Sequence, residues 1–286
     1  MDTPVVLKRY VKPYIFPTKN QGGKVYAATI AAGFRCSNGV VLCADTEITL
    51  GAGKTYQSKI FVVDALAGCY LTYCGSTDFA KELVDDLRQI QGKGARDALA
   101  IIKSTYREFF GKYCNPDDEA TWTSILITLR DGDKVNLYAG RGRQFPNEPY
   151  YATLGIGQYQ SEALFNPLYH QWMTVNEAVY MAFYGLHSVK GFVPGCGGET
   201  EYVEILDDAD VIPLDFLMRP SGTDIEQDFQ FLARVFKPVL FAFPDMDISL
   251  EKFSQILREM ETSLIQYRKR RIKDYEAEQK RLRGEF

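Results

Sequence analysis

Histidine is scarce in this chain, and this scarcity limits the catalytic chemistry that the chain could perform. Only two histidines occur among the 286 residues, His170 and His187. Both lie in or beside segments with a helical pattern, so we interpret them as structural. The sequence also lacks the strings that mark a phosphate-binding loop, a dinucleotide-binding turn, a zinc-protease helix and a nucleophile elbow. These absences exclude the common nucleotide-binding, zinc-protease and α/β-hydrolase classes.

Long apolar runs and an excess of positive charge are missing as well. No stretch of about 18 uninterrupted apolar residues occurs, and the N-terminal segment has no apolar core of the signal-peptide kind. The 33 Lys and Arg residues against 37 Asp and Glu residues give 33 − 37 = −4. No overall basic field therefore exists to hold nucleic acid. We expect a cytoplasmic protein with neither nucleic-acid nor membrane partners.

The six cysteines do not have the spacing of a metal site. They form no C-x-x-C pair, and no histidine follows them at zinc spacing. Most lie inside apolar or β-branched runs, which favours buried, reduced thiols in a reducing compartment. We expect neither a metal nor another cofactor.

The first half of the sequence predicts β-hairpins followed by helices. Residues 1–24 contain three prolines and a glycine turn, and we interpret them as an irregular leader. Two apolar runs flank Asn38-Gly39, which is a strong β-hairpin signal because both residues accept positive φ. The segments "KIFVVDA" and "CYLTYCG" predict a second pair of strands. A 3.6-residue period then predicts two amphipathic helices, one over residues 77–91 and one that runs through Ala98 and ends at Gly111 or before Asn115-Pro116.

Strand signals return in the second half, before a final helix. They lie in "TWTSILITLR", "KVNLYAG", "YYATLGIG" and "EYVEILDDADVIPLD". Thr174 and Glu177 form a capping box that predicts a helix over residues 174–189. From about residue 248, apolar residues at alternating spacings of 3 and 4 predict a helix with a heptad-like seam, formed by Leu250, Phe253, Leu257, Met260 and Leu264.

The end of that helix is basic. Residues 268–286 carry eight basic and four acidic side chains, so their net charge is 8 − 4 = +4. A charge run of this kind is most often a solvated helix end. The alternative is a docking arm for an acidic partner, and the sequence leaves both interpretations open.

The region from Thr29 to Gly75 has a pattern that resembles a known enzyme family. Thr29 begins the first strand, Asp45 ends the strand after Asn38-Gly39, and Lys59 and Gly75 follow at spacings close to the family's own. In this arrangement the sequence resembles the β-type subunits of the proteasome, which are N-terminal-nucleophile (Ntn) hydrolases. The resemblance covers roughly residues 25–206 and is strongest over 29–90.

The resemblance implies a role for five residues. Thr29 would be the nucleophile, with its own freed α-amine as the general base. Asp45 would orient the site, Lys59 would lower the pKa of the amine, and Gly75 would supply the N–H donor for the oxyanion. Thr49 would align an extended substrate. An α-amine has an ordinary pKa of about 7.7–8.0, so this chemistry needs no histidine.

The resemblance also implies a fold and an assembly. The expected fold is α+β, a four-layer αββα Ntn-hydrolase sandwich with an extra C-terminal helix. Residues 25–246 would form the hydrolase domain and residues 247–286 the helix with its basic end. The function implied is a threonine-type endopeptidase that degrades unfolded polypeptides within a homo- or hetero-oligomeric ring.

Several positions depart from the family pattern. Glu47 stands where an arginine is usual, and Ile156, Val193 and Cys196 stand where the family has polar residues around the amine. Ala28 precedes Thr29 in place of the usual glycine, although glycine reaches the strained turn of self-cleavage more cheaply. Two alternatives therefore stay open, a non-catalytic structural subunit that keeps its leader and a hydrolase acting on a non-peptide amide.

Overall fold

The computed structural model describes residues 29–50, 53–90, 94–115, 122–208, 227–228, 231, 234–235 and 249–282. The chain divides into two compact units, Met1–Ala209 and Asp210–Phe286. The leader over residues 1–24 lies outside the described residues, and so does the domain boundary near residue 247. Both stay predictions.

Ten strands lie in the described part of the first unit. In chain order they are β1 (Ile30–Cys36), β2 (Gly39–Asp45), β3 (Glu47–Leu50), β4 (Gly53–Tyr56), β5 (Ile60–Val62), β6 (Tyr70–Cys74), β7 (Ser124–Asp131), β8 (Lys134–Gly140), β9 (Tyr151–Gly155) and β10 (Thr200–Leu206). The first sheet has the order β10-β2-β1-β9, the second has the order β5-β6-β7-β8, and β3 pairs with β4 alone. All of these pairs are antiparallel.

The helices described in the first unit are α1 (Thr77–Leu87), α2 (Ala95–Tyr113), α3 (Gln158–Phe165) and α4 (Val175–Phe192). The α1 helix begins where the Ser76 side chain accepts a hydrogen bond from the N–H of Phe79. The capping box predicted at Thr174 and Glu177 is present at the start of α4. The Ser76 cap and the Thr174–Glu177 capping box satisfy backbone donors that a helix end would leave without partners.

Two clusters of buried side chains form the core of the first unit. One joins residues of both four-stranded sheets, such as Leu42 of β2 and Leu137 of β8. The other joins the second sheet to α1 and α2, for example through Tyr73 and Ile102. The α4 helix contacts β1, β2 and β10. The structure is thus a mixed fold of α-helices and several β-sheets.

The second unit contains a long helix, α5 (Leu250–Leu282). Its half-buried residues include Phe253, Ile256, Met260, Leu264 and Tyr267. The Tyr267 ring stacks on Phe231 of the same unit. The predicted seam is wrong at Leu250 and Leu257, which are exposed, because the buried line along α5 runs through Ile256 instead.

The sequence pattern missed two elements. The β3–β4 hairpin was not predicted, because its two strands are only four residues long and have little apolar character. The α3 helix was not predicted either, because it buries only Ser161 and Phe165. Short elements with few buried residues give weak periodic signals.

Candidate functional site

Thr29 and Asp45 lie at one edge of the first sheet. Thr29 immediately precedes β1, Asp45 is the last residue of β2, and the register pairs Ala31 with Ala44 and Ile30 with Gly155. Since neighbouring strands are antiparallel, the start of β1 and the ends of β2 and β9 meet at the same edge. Three segments distant in sequence therefore converge there.

The Lys59 side chain is the centre of the site. Its Nζ donates hydrogen bonds to Thr29 Oγ1 at 2.7 Å, to Asp45 Oδ1 at 2.7 Å and to the carbonyl oxygen of Glu47 at 2.5 Å. An ammonium has three N–H donors, and these three acceptors use all of them. Lys59 is 1% exposed, Asp45 is 0% exposed and Thr29 is 4% exposed. The structure therefore brings Thr29, Asp45 and Lys59 together in a buried cluster.

The Asp45 carboxylate has further donors. The backbone N–H of Ile30 donates to Oδ1 at 3.2 Å, and that of Gly197 donates to Oδ2 at 2.9 Å. Burial raises the pKa of the Asp45 carboxyl above its usual value, and the Lys59 ammonium and the two N–H groups oppose this rise. The carboxylate thus ties the start of β1 to the segment before β10.

Two glycines enclose the carbonyl group of Thr29. A Cβ at Gly155 would lie 2.0 Å from the Thr29 oxygen, and Gly155 has φ +97°. Only glycine combines that φ with so close an approach. The N–H of Gly157 points at the same oxygen from 3.5 Å. The backbone of residues 155–157 therefore fixes the position of Thr29.

Glu47 supports the cluster from the side of β3. Its N–H donates to the Gly197 carbonyl oxygen at 3.1 Å, and its carboxylate lies 2.8 Å from Lys54 Nζ. A Cβ at Gly197 would lie 2.2 Å from Glu47 Oε2, so a larger residue there would displace the end of the Glu47 side chain. Glu47 therefore places a buried carboxylate where the resembling family has an arginine, and it holds the same Gly197 that donates to Asp45.

Gly75 and Thr49 stand apart from this hydrogen-bond cluster. Gly75 directly follows β6 with φ +112°, and the preceding Cys74 lies close to Gly155. Thr49 pairs with Lys54 across the β3–β4 hairpin, and its buried Oγ1 has no hydrogen-bond partner among the described residues. No hydrogen bond between these two residues and the Lys59 cluster occurs in the part of the chain that the structure describes.

Three departures from the family pattern also lie near the site. Ile156, between Gly155 and Gly157, is 53% exposed. Cys196 lies against Gly157, since its sulfur would be 3.3 Å from a Cβ built at that glycine. Burial raises the pKa of Cys196 to about 12, and the charge of Asp45 adds to the rise. Val193 is the C-cap residue that follows α4, and it is buried.

Sequence reasoning missed the backbone contribution of Gly155, Gly157 and Gly197. The sequence shows only that Ile156 and Cys196 stand where the resembling family has polar side chains. The structure satisfies Asp45 and Thr29 through main-chain N–H groups of the neighbouring glycines. The glycine density of "LGIG" and "GCGG" was the signal that could have indicated this.

The described residues show no metal site and no membrane helix. No cluster of three or more His, Cys, Asp or Glu side chains suitable for a metal ion occurs among them. None of the helices described is both long and apolar enough to cross a membrane. The six cysteines are all buried free thiols.

Comparison with known proteins gives a likeness of fold. No family model matches the chain, and no curated protein matches it. Among solved structures, the chain is similar to an Anbu (Gly-1) mutant from Hyphomicrobium sp. strain MC1, with a TM-score of 0.59 and 14% identity over 77% of this chain and 99% of that one. It is also similar to Anbu, described as an ancestral β-subunit, from Yersinia bercovieri, with a TM-score of 0.58 and 14% identity over 78% of this chain and 100% of that one.

These findings correct the family assignment made from the sequence. The identification as a proteasome β-type subunit of the Ntn-hydrolase family is wrong as a statement of membership, because no family model or curated protein supports it. The resemblance rested on a few spaced residues, and 14% identity is too low to carry a family or an activity. The chain has a fold similar to that of Anbu, and its function must be argued from its own site.

Proposed function

We propose that this chain is a threonine-type endopeptidase with a proteasome-like fold, which acts on unfolded polypeptides after the segment before Thr29 is removed. One observation carries the proposal. The buried Lys59 Nζ lies 2.7 Å from both Thr29 Oγ1 and Asp45 Oδ1. A hydroxyl held by a buried ammonium is suited to become an alkoxide, because the positive charge stabilises the negative charge that develops on oxygen.

The freed α-amine of Thr29 would act as the general base. It takes the proton from Oγ1 while Oγ1 attacks the carbonyl carbon of the substrate. The Lys59 ammonium keeps the amine's pKa low, so the amine stays a proton acceptor near neutral pH. The N–H of Gly75 would donate to the oxyanion.

The reaction would then proceed through an ester. The amine returns its proton to the leaving nitrogen of the substrate, so that the C–N bond breaks and an acyl ester remains on Oγ1. A water molecule then gives a proton to the amine and attacks the ester carbonyl. The amine passes this proton to Thr29 Oγ1 as the bond between Oγ1 and the acyl carbon breaks, which releases the carboxylic acid and restores the hydroxyl. Protons and atoms balance without a metal or cofactor.

The proposal extends to substrate binding and architecture. The peptide would lie extended beside Thr49 of β3 as an added strand. The layers would be those of an αββα sandwich, with residues 25–246 as the hydrolase domain. The support is that α1 and α2 pack on the second sheet, α4 contacts the first, and the two sheets share a core. We also propose that such subunits assemble into a ring.

A non-catalytic subunit that retains its leader is the second candidate. The observations that favour it are Ala28 before Thr29 and the exposed Ile156 beside the nucleophile position. In that case the cluster of Thr29, Asp45 and Lys59 would serve only to hold the start of β1.

Intact mass and peptide hydrolysis of the full chain test the proposal. A mass that corresponds to a chain starting at Thr29, together with cleavage of fluorogenic peptides, is the expected result. The Thr29→Ala variant should keep its full mass and lose the activity. An unprocessed, inactive wild-type chain purified from its native cell would refute the proposal and favour the second candidate.

Thr72→Ala is the matched control. Thr72 lies in β6, is buried, and its Oγ1 has no hydrogen-bond partner among the described residues. Removal of this hydroxyl leaves no donor unpaired, so processing and peptide cleavage should be kept. If Thr72→Ala loses activity as completely as Thr29→Ala, the effect comes from folding rather than from the nucleophile.

A further inference from the structure

Helix α5 carries an exposed apolar line that is separate from its half-buried side. Leu250 is 85% exposed, Leu257 36%, Ile265 48% and Ile272 45%. Their intervals are 7, 8 and 7 residues. At ~100° per residue these intervals keep all four side chains within an arc of roughly 80°, and at ~1.5 Å per residue the line is about 33 Å long.

The spacing of the residues on this side of α5 is symmetric. We define the exposed face as Leu250, Ser254, Leu257, Glu261, Ile265, Arg268 and Ile272. Its intervals are 4, 3, 4, 4, 3 and 4, which read the same in both directions about Glu261. A surface that docks onto its own copy about a twofold axis must be self-complementary in this sense.

We propose that the exposed face of α5 is a self-association surface on which a second copy of this chain docks its own α5 in antiparallel orientation. The twofold axis passes beside Glu261. Residues whose numbers sum to 522 then face each other, so Leu250 meets Ile272 of the second copy and Leu257 meets its Ile265. Ser254 meets Arg268, and every exposed aliphatic residue of the face meets another one.

The charges beside the face favour this orientation. Glu251 and Lys269 are 18 residues apart, which is five helical turns, so they share one flank of the face. Both are exposed. In the antiparallel pair, Glu251 lies about 3 Å along the axis from the level of Lys269 in the second copy, and the symmetry gives two such ion pairs. A parallel pair in register would place the Glu251 and Lys269 flanks of the two copies on opposite sides of the interface, so neither ion pair could form.

The association is expected to be weak. Three of the seven residues on the face are polar, and the two Glu261 side chains face each other on the axis as like charges. We expect a dissociation constant on the order of micromolar, typical of small interfaces. The surface belongs to the second unit and does not depend on the function proposed for Thr29.

Cysteine cross-linking of the full chain tests the geometry. In an antiparallel pair only position 261 faces itself, so Glu261→Cys should give disulfide-linked dimers under mild oxidation. Leu257→Cys alone should not, while Leu257→Cys combined with Ile265→Cys should. Gln266→Cys, on an exposed side of α5 away from the face, is the matched control. The six native cysteines are buried, so they contribute little background.

Each other result overturns the proposal. Dimers of Leu257→Cys alone would indicate a parallel pair. If Glu261→Cys and the double variant form no more dimer than Gln266→Cys, the face does not pair with itself.

Sedimentation velocity of the full chain tests the equilibrium. The mass of the wild-type species should rise with concentration over roughly 0.1–10 µM, a range centred on the constant expected above, whether α5 joins two monomers or two copies of the proposed ring. Leu257→Asp with Ile265→Asp should abolish the dimer, whereas Gln255→Asp with Gln266→Asp adds the same charge off the face and should not. Glu261→Gln should tighten association by about threefold, since it removes the like charges on the axis.

A mass that does not change with concentration would overturn the proposal, and so would a concentration-dependent step that the Leu257→Asp and Ile265→Asp changes leave intact. Neither result bears on peptide cleavage at Thr29, so the two proposals fail separately.

Discussion

Replacement of Lys59 by methionine should destabilise the protein strongly. Methionine keeps the length and most of the volume of the lysine side chain but removes its charge. The change leaves Asp45, which is fully buried, with only the N–H groups of Ile30 and Gly197 as hydrogen-bond donors. Thr29 Oγ1 and the Glu47 carbonyl lose the same donor.

The magnitude follows from the distance between the charges. At 2.7 Å and an effective dielectric constant of about 20, the attraction between Lys59 and Asp45 is about 6 kcal/mol. Part of this attraction offsets the cost of burying two charges. Removing one partner of a buried pair typically costs about 3–5 kcal/mol, and we expect Lys59→Met to lower the free energy of unfolding by that amount at pH 7.

The pH dependence has a definite sign. In the variant nothing but two N–H groups opposes the effect of burial, so the pKa of Asp45 rises further above its unfolded value. A folded state with a raised carboxyl pKa binds more protons than the unfolded state, and its stability falls as pH rises through that pKa. The deficit relative to wild type should therefore be largest at neutral pH and should shrink as the pH is lowered.

Urea unfolding of the full chain at several pH values measures this effect. Lys134→Met is the control, because Lys134 also lies 2.8 Å from a carboxylate, that of Asp207, but its side chain is 59% exposed. Exposed pairs contribute about 0–1 kcal/mol. If Lys59→Met costs no more than Lys134→Met, or if its deficit grows as pH falls, the reasoning about the buried pair is wrong.

Two further predictions concern the surroundings of the cluster. Gly155→Ala should cost at least ~2 kcal/mol and displace Thr29, because φ is +97° and a Cβ would overlap the Thr29 oxygen. Gly191→Ala, in α4 with open space around it, should instead stabilise the protein by about 0.5–1 kcal/mol. Thermal unfolding of the two variants compares these effects, and equal changes in stability would contradict the expected clash at Gly155. Burial raises the pKa of Cys196 to about 12, so at pH 8 only about one thiol in 10⁴ is ionised. Cys196 in the folded protein should therefore not react with iodoacetamide, which intact-mass measurement detects as an unchanged mass. Rapid labelling of one thiol would contradict this.

The sequence predicted most elements that have a strong local pattern. The hairpin at Asn38-Gly39, the capping box at Thr174 and the buried side of α1 all come from neighbours in the chain, and the structure contains each of them. The β3–β4 hairpin and α3 could not be found in this way, because they are short and bury few residues, so their own periodicity is weak.

The candidate site shows the same division. Thr29, Asp45 and Lys59 were predicted as site residues from the resemblance to proteasome β-type subunits. Their roles stay a proposal, but their proximity is a structural fact. The side chains compared in the sequence did not indicate that the backbone N–H groups of Gly157 and Gly197 would donate to the Thr29 carbonyl oxygen and to Asp45, because a main-chain donor has no residue identity.

The sequence by itself determined the composition of the elements, the hairpin turn and the scarcity of histidine, because each of these depends on residue identity or on neighbours within a few positions. Only the tertiary structure decided that Lys59 uses all three of its N–H donors on Thr29, Asp45 and Glu47. That arrangement joins segments separated by 12 to 30 residues, and it forms only when antiparallel pairing brings the strand ends to one edge.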